Sequence, residues 1–151
     1  MTAPEIWFYH LESQPLQAVL PVLLEKTLSR GWRALLRFST PERLDMIDSA
    51  LWTYREEAFL PHGSLRDGPP ERQPIFLTLD GANPNGAQAL FLLETAAESE
   101  PSRFERICRL FDDTDAEARA LARGEWKAAK AAGSSVSYWR QDAGGAWKKQ
   151  G

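Results

Sequence analysis

Between Ile6 and Tyr54 the chain runs twice through the same pattern, a short β-branched and aromatic stretch followed by an amphipathic one, and this repetition constrains the fold most. Ile6-Trp7-Phe8-Tyr9-His10-Leu11, bounded by Pro4 and by Ser13-Gln14-Pro15, reads as a strand buried on both faces. Leu16, Val19, Leu20, Leu23, Leu24 and Leu28 then recur at helical spacing up to Ser29-Arg30-Gly31, where basic residues and a glycine mark a stop. Pro21 leaves the start of that helix open, because a proline inside a helix costs about 3 kcal/mol: the regular turn begins near Leu20 or the helix is kinked. Arg33 to Ser39 is a second strand, and Thr40-Pro41 opens a second helix with a capping hydroxyl and proline in the first turn. Its apolar stripe is Leu44, Ile47, Ala50, Leu51 and Tyr54. Strands alternating with helices imply parallel β-α-β crossovers, hence a three-layer α/β domain with a mostly parallel sheet flanked by helices on both faces.

Further along the order is less regular. Residues 59–73 hold three prolines, two glycines and mixed charge, which fits a loop. Ile75–Leu79 and Ala89–Leu93 read as strands, and the Asp80-Gly81-Ala82-Asn83-Pro84-Asn85-Gly86 turn between them predicts a hairpin. Phe104, Ile107, Cys108 and Phe111 fit a helix, after which Asp113–Asp115 would cap another running to Gly133. Val136–Trp139 is the last expected strand. The expected division is one α/β domain over residues 1–140 and a loosely ordered tail over 141–151, where Gly144-Gly145 and few core formers occur.

Composition excludes several functional classes. A single cysteine, Cys108, cannot build a disulfide framework or a four-ligand zinc site. No basic and apolar leader and no long apolar span occur, so a cytoplasmic protein without membrane association is expected. The first β-α turn, Glu12-Ser13-Gln14-Pro15, has no phosphate-cradling glycines, which argues against a nucleotide cofactor. His10 and His62 lack metal-ligand spacing, and His10 is expected to be a packed, hydrogen-bonded side chain. Cys108 reads as a buried small hydrophobe, and Glu56-Glu57 as a solvated helix end. No catalytic constellation, metal or cofactor is expected.

Charge, however, is unevenly distributed. Through residue 114 there are 11 Lys/Arg against 17 Asp/Glu, and thereafter 7 against 4. On the helix beginning near Asp115, Arg119, Arg123, Trp126, Lys127 and Lys130 fall within an arc of roughly 100°, with Leu121, Ala128 and Ala132 opposite. Successive like charges at i, i+4 each destabilise a helix by about 0.2–0.5 kcal/mol, so stability alone would not select them. The face is either a solvated surface whose cations offset the helix dipole or a cradle for an acidic peptide bearing an apolar residue. The acidic body makes direct nucleic acid binding an unexpected property. A second feature is Trp52, about 140° from the middle of its helix's stripe, followed by Phe59-Leu60-Pro61-His62. Either the loop folds back over Trp52 or these residues anchor an interface.

The WFYHL strand, the LDMIDSALWTYREEAFLPHG block and the ALARGEWKAAKAAG helix together resemble the chi subunit family of bacterial DNA polymerase III, over nearly the whole chain. The resemblance implies a Rossmann-like domain without a nucleotide-binding glycine loop, acting as a non-catalytic clamp-loader adaptor. It implies two partners, the psi subunit and the acidic, phenylalanine-ended tail of single-stranded DNA-binding protein, with a helicase competing for the psi side. The tail would engage Arg119, Arg123, Trp126 and Lys127, with Val136 as an apolar neighbour; Trp126 stands where the family leads one to expect a tyrosine, so a hydroxyl is missing there. The psi side would be Trp52 and Phe59 with Leu60 and Pro61. A small nucleotide-responsive or hydrolytic α/β domain is the alternative reading, its phosphates held by Arg119 and Arg123.

Overall fold

A computed structural model describes residues 4–52, 62–63, 69, 73–98 and 100–150. In chain order the elements are β1 (Glu5–Leu11), α1 (Leu16–Ser29), β2 (Ala34–Arg37), α2 (Pro41–Trp52), β3 (His62–Gly63), β4 (Ile75–Thr78) and β5 (Ala89–Leu93). After a 3-10 turn at Pro101–Arg103 come β6 (Arg106–Asp112), α3 (Ala116–Ala131), β7 (Val136–Gln141) and β8 (Trp147–Lys149). The described strands form one sheet in the order β3-β4-β2-β5-β6-β1-β7-β8. Its pairings are parallel except that of β7 with β8.

The layers follow from strand alternation. Tyr9, Leu11, Leu36, Leu77, Phe91 and Leu110 meet α1 and α2 on one face. On the other face Phe8 and Phe111 meet Ala118 and Ala122 of α3, and Leu35, Phe76, Leu90 and Ile107 lie under Ala96 and Phe104. The arrangement is the expected three-layer, Rossmann-like one. Thr40 Oγ1 accepts from the Arg43 N–H at 3.3 Å, capping α2, whose Leu44, Ile47 and Leu51 are buried. Asp115 caps α3 by accepting from the Ala118 N–H at 3.1 Å.

Two local readings are corrected, and one open choice is settled. Ile75–Leu79 and Ala89–Leu93 are not a hairpin: β4 and β5 lie on either side of β2 and both run parallel to it. Each strand is buried throughout, as strands covered on both faces are, and residues 79–88 carry the chain back across the sheet. Asn85 fixes this crossover, its Nδ2 donating to Ala34 O at 3.1 Å and Gln73 O at 2.9 Å. The Phe104–Phe111 segment is not a helix but the strand β6 with its approach. Ile107, Cys108, Leu110 and Phe111 are all buried, Cys108 and Leu110 facing α1 and Ile107 and Phe111 the opposite layer. So short an apolar run satisfies both periods, and only two-sided burial separates them. Finally, α1 starts at Leu16 and contains Pro21. The carbonyl that Pro21 leaves without an intrahelical partner belongs to Gln17, an exposed residue on the solvent side of the helix.

Within the expected loop 59–73, His62–Gly63 pairs with β4 as an edge strand. The segment beyond Gln141, read as a loose tail, carries β8, which pairs with β7 through Trp139–Lys149 and Gln141–Trp147. Gly145 supplies the turn's positive φ of 86°, and Asp142 Oδ1 accepts from the Gly144 and Ala146 N–H groups. Trp147 then stacks edge-on against Tyr9, ring centroids 5.2 Å apart, giving the strand apolar cover.

Candidate functional site

The basic helix is fastened to the sheet by a buried charge. Arg109, 1% exposed in the middle of β6, donates from Nε and Nη2 to the two carboxylate oxygens of Glu125 on α3, each at 2.8 Å. Its Nη1 donates to the carbonyls of Glu94 and Ala96. Such a bidentate pair fixes direction as well as distance. It sets the rotation of α3, whose buried residues are Ala118, Ala122 and Ala129. The small apolar face is therefore not Leu121, Ala128 and Ala132, which are half-buried or exposed.

With α3 so rotated, a recess of about 210 Å³ opens between α3 and the ends of β1, β6 and β7, lined by His10, Phe111, Arg119, Arg123, Trp126 and Tyr138. Its walls are aromatic and its cations lie toward solvent. Trp126 packs edge-on to Tyr138, centroids 5.5 Å apart, and to Phe8 at 5.8 Å. Arg119 and Arg123 are exposed. Arg119 Nη1 donates to the backbone carbonyl of Asp113 at 3.0 Å, and Arg123 has no carboxylate partner among the described residues. Lys130 Nζ sits 5.1 Å from the Trp126 ring centroid.

Of the residues expected from sequence, Arg119, Arg123 and Trp126 converge on this recess. Lys127 does not: it is exposed, one turn beyond Arg123, and lies outside the lining. Val136 is half-buried on β7, two residues before Tyr138 and on the same side of the strand, and is also outside the lining. Trp52 ends α2, while Phe59, Leu60 and Pro61, like the side chain of Trp52, lie outside the described residues.

Sequence reasoning missed Tyr138, and placed His10 only as a buried, hydrogen-bonded residue, which it is. His10 Nε2 lies 2.7 Å from Asp113 Oδ1, and Nδ1 lies 2.8 Å from Tyr138 Oη. The His10 hydrogen bond holds the Asp113 carboxyl below the usual carboxylate range, so Asp113 can only accept. In a neutral His10 the proton is then on Nε2 and Nδ1 accepts from the Tyr138 hydroxyl. Tyr138 thus places a phenolic oxygen on the wall that faces Trp126. The available signal was its two-residue spacing from Val136. Glu12 comes within 4.8 Å of the His10 and Asp113 ligand atoms, but Glu12 pairs with Arg140 and both His10 nitrogens are engaged, so the cluster is a hydrogen-bonded brace.

The first β-α turn is occupied from within. The backbone N–H groups of Glu12, Ser13 and Gln14 all point to Gln141 Oε1, at 3.1, 3.3 and 3.3 Å. In doubly wound nucleotide-binding domains amides of this turn receive phosphate. Here a buried side-chain carbonyl takes that place. Burial pushes the Cys108 thiol up to about 12, leaving it a neutral apolar side chain.

Fold and recess together define a Rossmann-like α/β domain with a cation-bordered aromatic pocket and an internally filled β-α turn. The family model described as DNA polymerase III chi subunit, HolC, matches residues 3–137. The chain belongs to that family of DNA polymerase III subunits. A probable DNA polymerase III subunit chi from Rickettsia prowazekii (strain Madrid E) is 31% identical over 85 residues, covering 56% of this chain and 52% of the relative. The chain thus matches about half the length of that relative. Among the described residues no helix is long and apolar enough to cross a membrane.

Proposed function

We propose that the α3 recess receives the acidic, phenylalanine-ended tail of single-stranded DNA-binding protein, as a non-catalytic adaptor's contact with the coated strand. The observation that carries this reading is the pairing of two exposed guanidinium groups, Arg119 and Arg123, with an aromatic recess of about 210 Å³ beside them. A terminal phenyl ring enters the recess, and the arginines receive the terminal carboxylate and the acidic residues before it. The recess is small, which suits one side chain rather than a cofactor. Titration calorimetry of a tail peptide tests the reading: Arg123→Ala should weaken binding, and a peptide lacking its final phenylalanine should lose it. Equal affinity of the truncated peptide overturns the pocket.

The second half of the proposal is that the psi subunit binds a surface around Trp52, Phe59, Leu60 and Pro61, making the domain a bridge between clamp loader and coated strand, and that a helicase competes there. The family membership and the LWTYREEAFLPHG stretch support it. Trp52→Ala should abolish co-purification with psi while leaving the peptide affinity of the α3 recess intact. Undiminished co-purification of the folded variant removes the assignment.

A further inference from the structure

We propose a second binding site, for nucleotides of single-stranded DNA, at the end of the sheet opposite the α3 layer. On the α1 and α2 face these helices pack over β2, β6 and β4, and among the described residues the end built from β1, β7 and β8 is bordered by the C-terminal half of α1. Strand alternation turns Trp7 and Tyr9 of β1, Trp139 of β7 and Trp147 of β8 to this side. The result is an aromatic cluster across three adjacent strands, with Trp7 and Trp139 tilted at 35° and their centroids 5.9 Å apart, and Trp147 edge-on to the buried Tyr9 at 5.2 Å. A pocket of about 460 Å³ lies over it, within the range of roughly 300–1,000 Å³ typical of small-ligand sites.

Cations ring this cluster. Lys26 descends from α1, Arg30 from the residue that ends it, and Arg106 from β6. Lys149 stands directly opposite Trp139 in the β7–β8 pairing, hence on the same face. The Arg106 guanidinium lies 3.9 Å from the Trp7 ring centroid and pairs with Glu5 at 2.9 Å. Arg30 stacks on Trp32 at 4.2 Å. Lys26 and Lys149 are exposed and have no carboxylate partner among the described residues, and none of the described lining residues is acidic. Trp139 adds an indole N–H without an acceptor among the described residues.

Partly exposed indole rings with positive charge along the border suit a single strand: bases stack on Trp139 and Trp147 and phosphates meet the cations, without sequence selection. An acidic peptide with one phenyl ring would use a single slot, which the α3 recess supplies. A net charge of −3 does not oppose this, because the four cations come from α1 and the residue that ends it, β6 and β8 and act over a few ångströms inside a Debye length of about 10 Å.

Quenching of tryptophan fluorescence in the full 151-residue protein by a short oligothymidylate at low salt tests the proposal. The expected result is salt-sensitive quenching, weakened about tenfold and with a shallower salt dependence in the double variant Lys26→Ala/Lys149→Ala, both exposed positions that leave the core untouched. The same variant should bind the acidic tail peptide as the parent does, and Arg123→Ala should bind the oligonucleotide as the parent does. Absence of quenching, an undiminished response in the double variant, loss of oligonucleotide binding in Arg123→Ala, or thymidine monophosphate binding as tightly as the strand would each overturn it.

Discussion

Tyr138 Oη sits 2.8 Å from His10 Nδ1, and the other nitrogen of the same ring meets Asp113 Oδ1 at 2.7 Å. A phenol on the last parallel strand is thereby oriented by a carboxylate beyond the end of β6, through a histidine buried in β1. The chain brings together positions separated by more than a hundred residues to fix one wall of the α3 recess.

This brace carries a pH dependence whose sign is determined. Asp113 is held below its ordinary range by the His10 hydrogen bond. For Glu98, burial acts to raise the carboxyl, but hydrogen bonds from Arg103 and Arg37 outweigh it and hold it low. Carboxyls depressed in the folded state contribute stability above their unfolded values, near pH 4, and lose it as pH falls through the folded ones. Urea unfolding measured from neutrality downward should show stability falling below about pH 4.5, and Asp113→Ala should flatten part of that fall.

Arg123 and Lys127 lie one helical turn apart on α3, yet only Arg123 borders the recess. Arg123→Ala should weaken tail-peptide binding by more than about tenfold, in keeping with loss of a charge-assisted hydrogen bond worth about 1.5–3 kcal/mol, whereas Lys127→Ala should cost under about threefold. Raising salt should shrink both effects. Calorimetry at two salt concentrations reads the difference, and equal losses would place the peptide along the outer face of the helix.

Glu125 is the sole carboxylate partner of Arg109 among the described residues, and Arg109 is almost wholly buried. Glu125→Ala leaves that guanidinium in the core with carbonyl partners alone. A loss of about 3 kcal/mol is expected, read from the denaturation midpoint, the lower end of what breaking a buried pair costs because Glu125 itself is partly exposed. Glu125→Gln, keeping an acceptor, should lose less.

Gln141→Ala removes the oxygen that three successive N–H groups of the first β-α turn share. About 2 kcal/mol of stability should go with it, and amide exchange at Glu12, Ser13 and Gln14 should accelerate selectively. Unchanged exchange there would show that water replaces the carboxamide without cost.

The sequence by itself determined the α/β class, the two opening β-α units, the caps at Thr40 and Asp115, and the basic, aromatic face of α3, since all of these rest on spacing and capping chemistry within one segment. Where a segment satisfied two periods, as at Ile107–Phe111, or where the outcome depended on which strand lies between two others, as with β4 and β5 around β2, local pattern carried no answer. Tertiary structure alone decided that Arg109 would turn α3 so that Arg123 faces the recess and Lys127 the solvent, that Tyr138 would join His10, and that Lys26, Arg106 and Lys149 would gather around Trp7 and Trp139. The reason is physical: burial and charge pairing between distant segments depend on sheet order, and sheet order is settled by how all the apolar faces are covered at once.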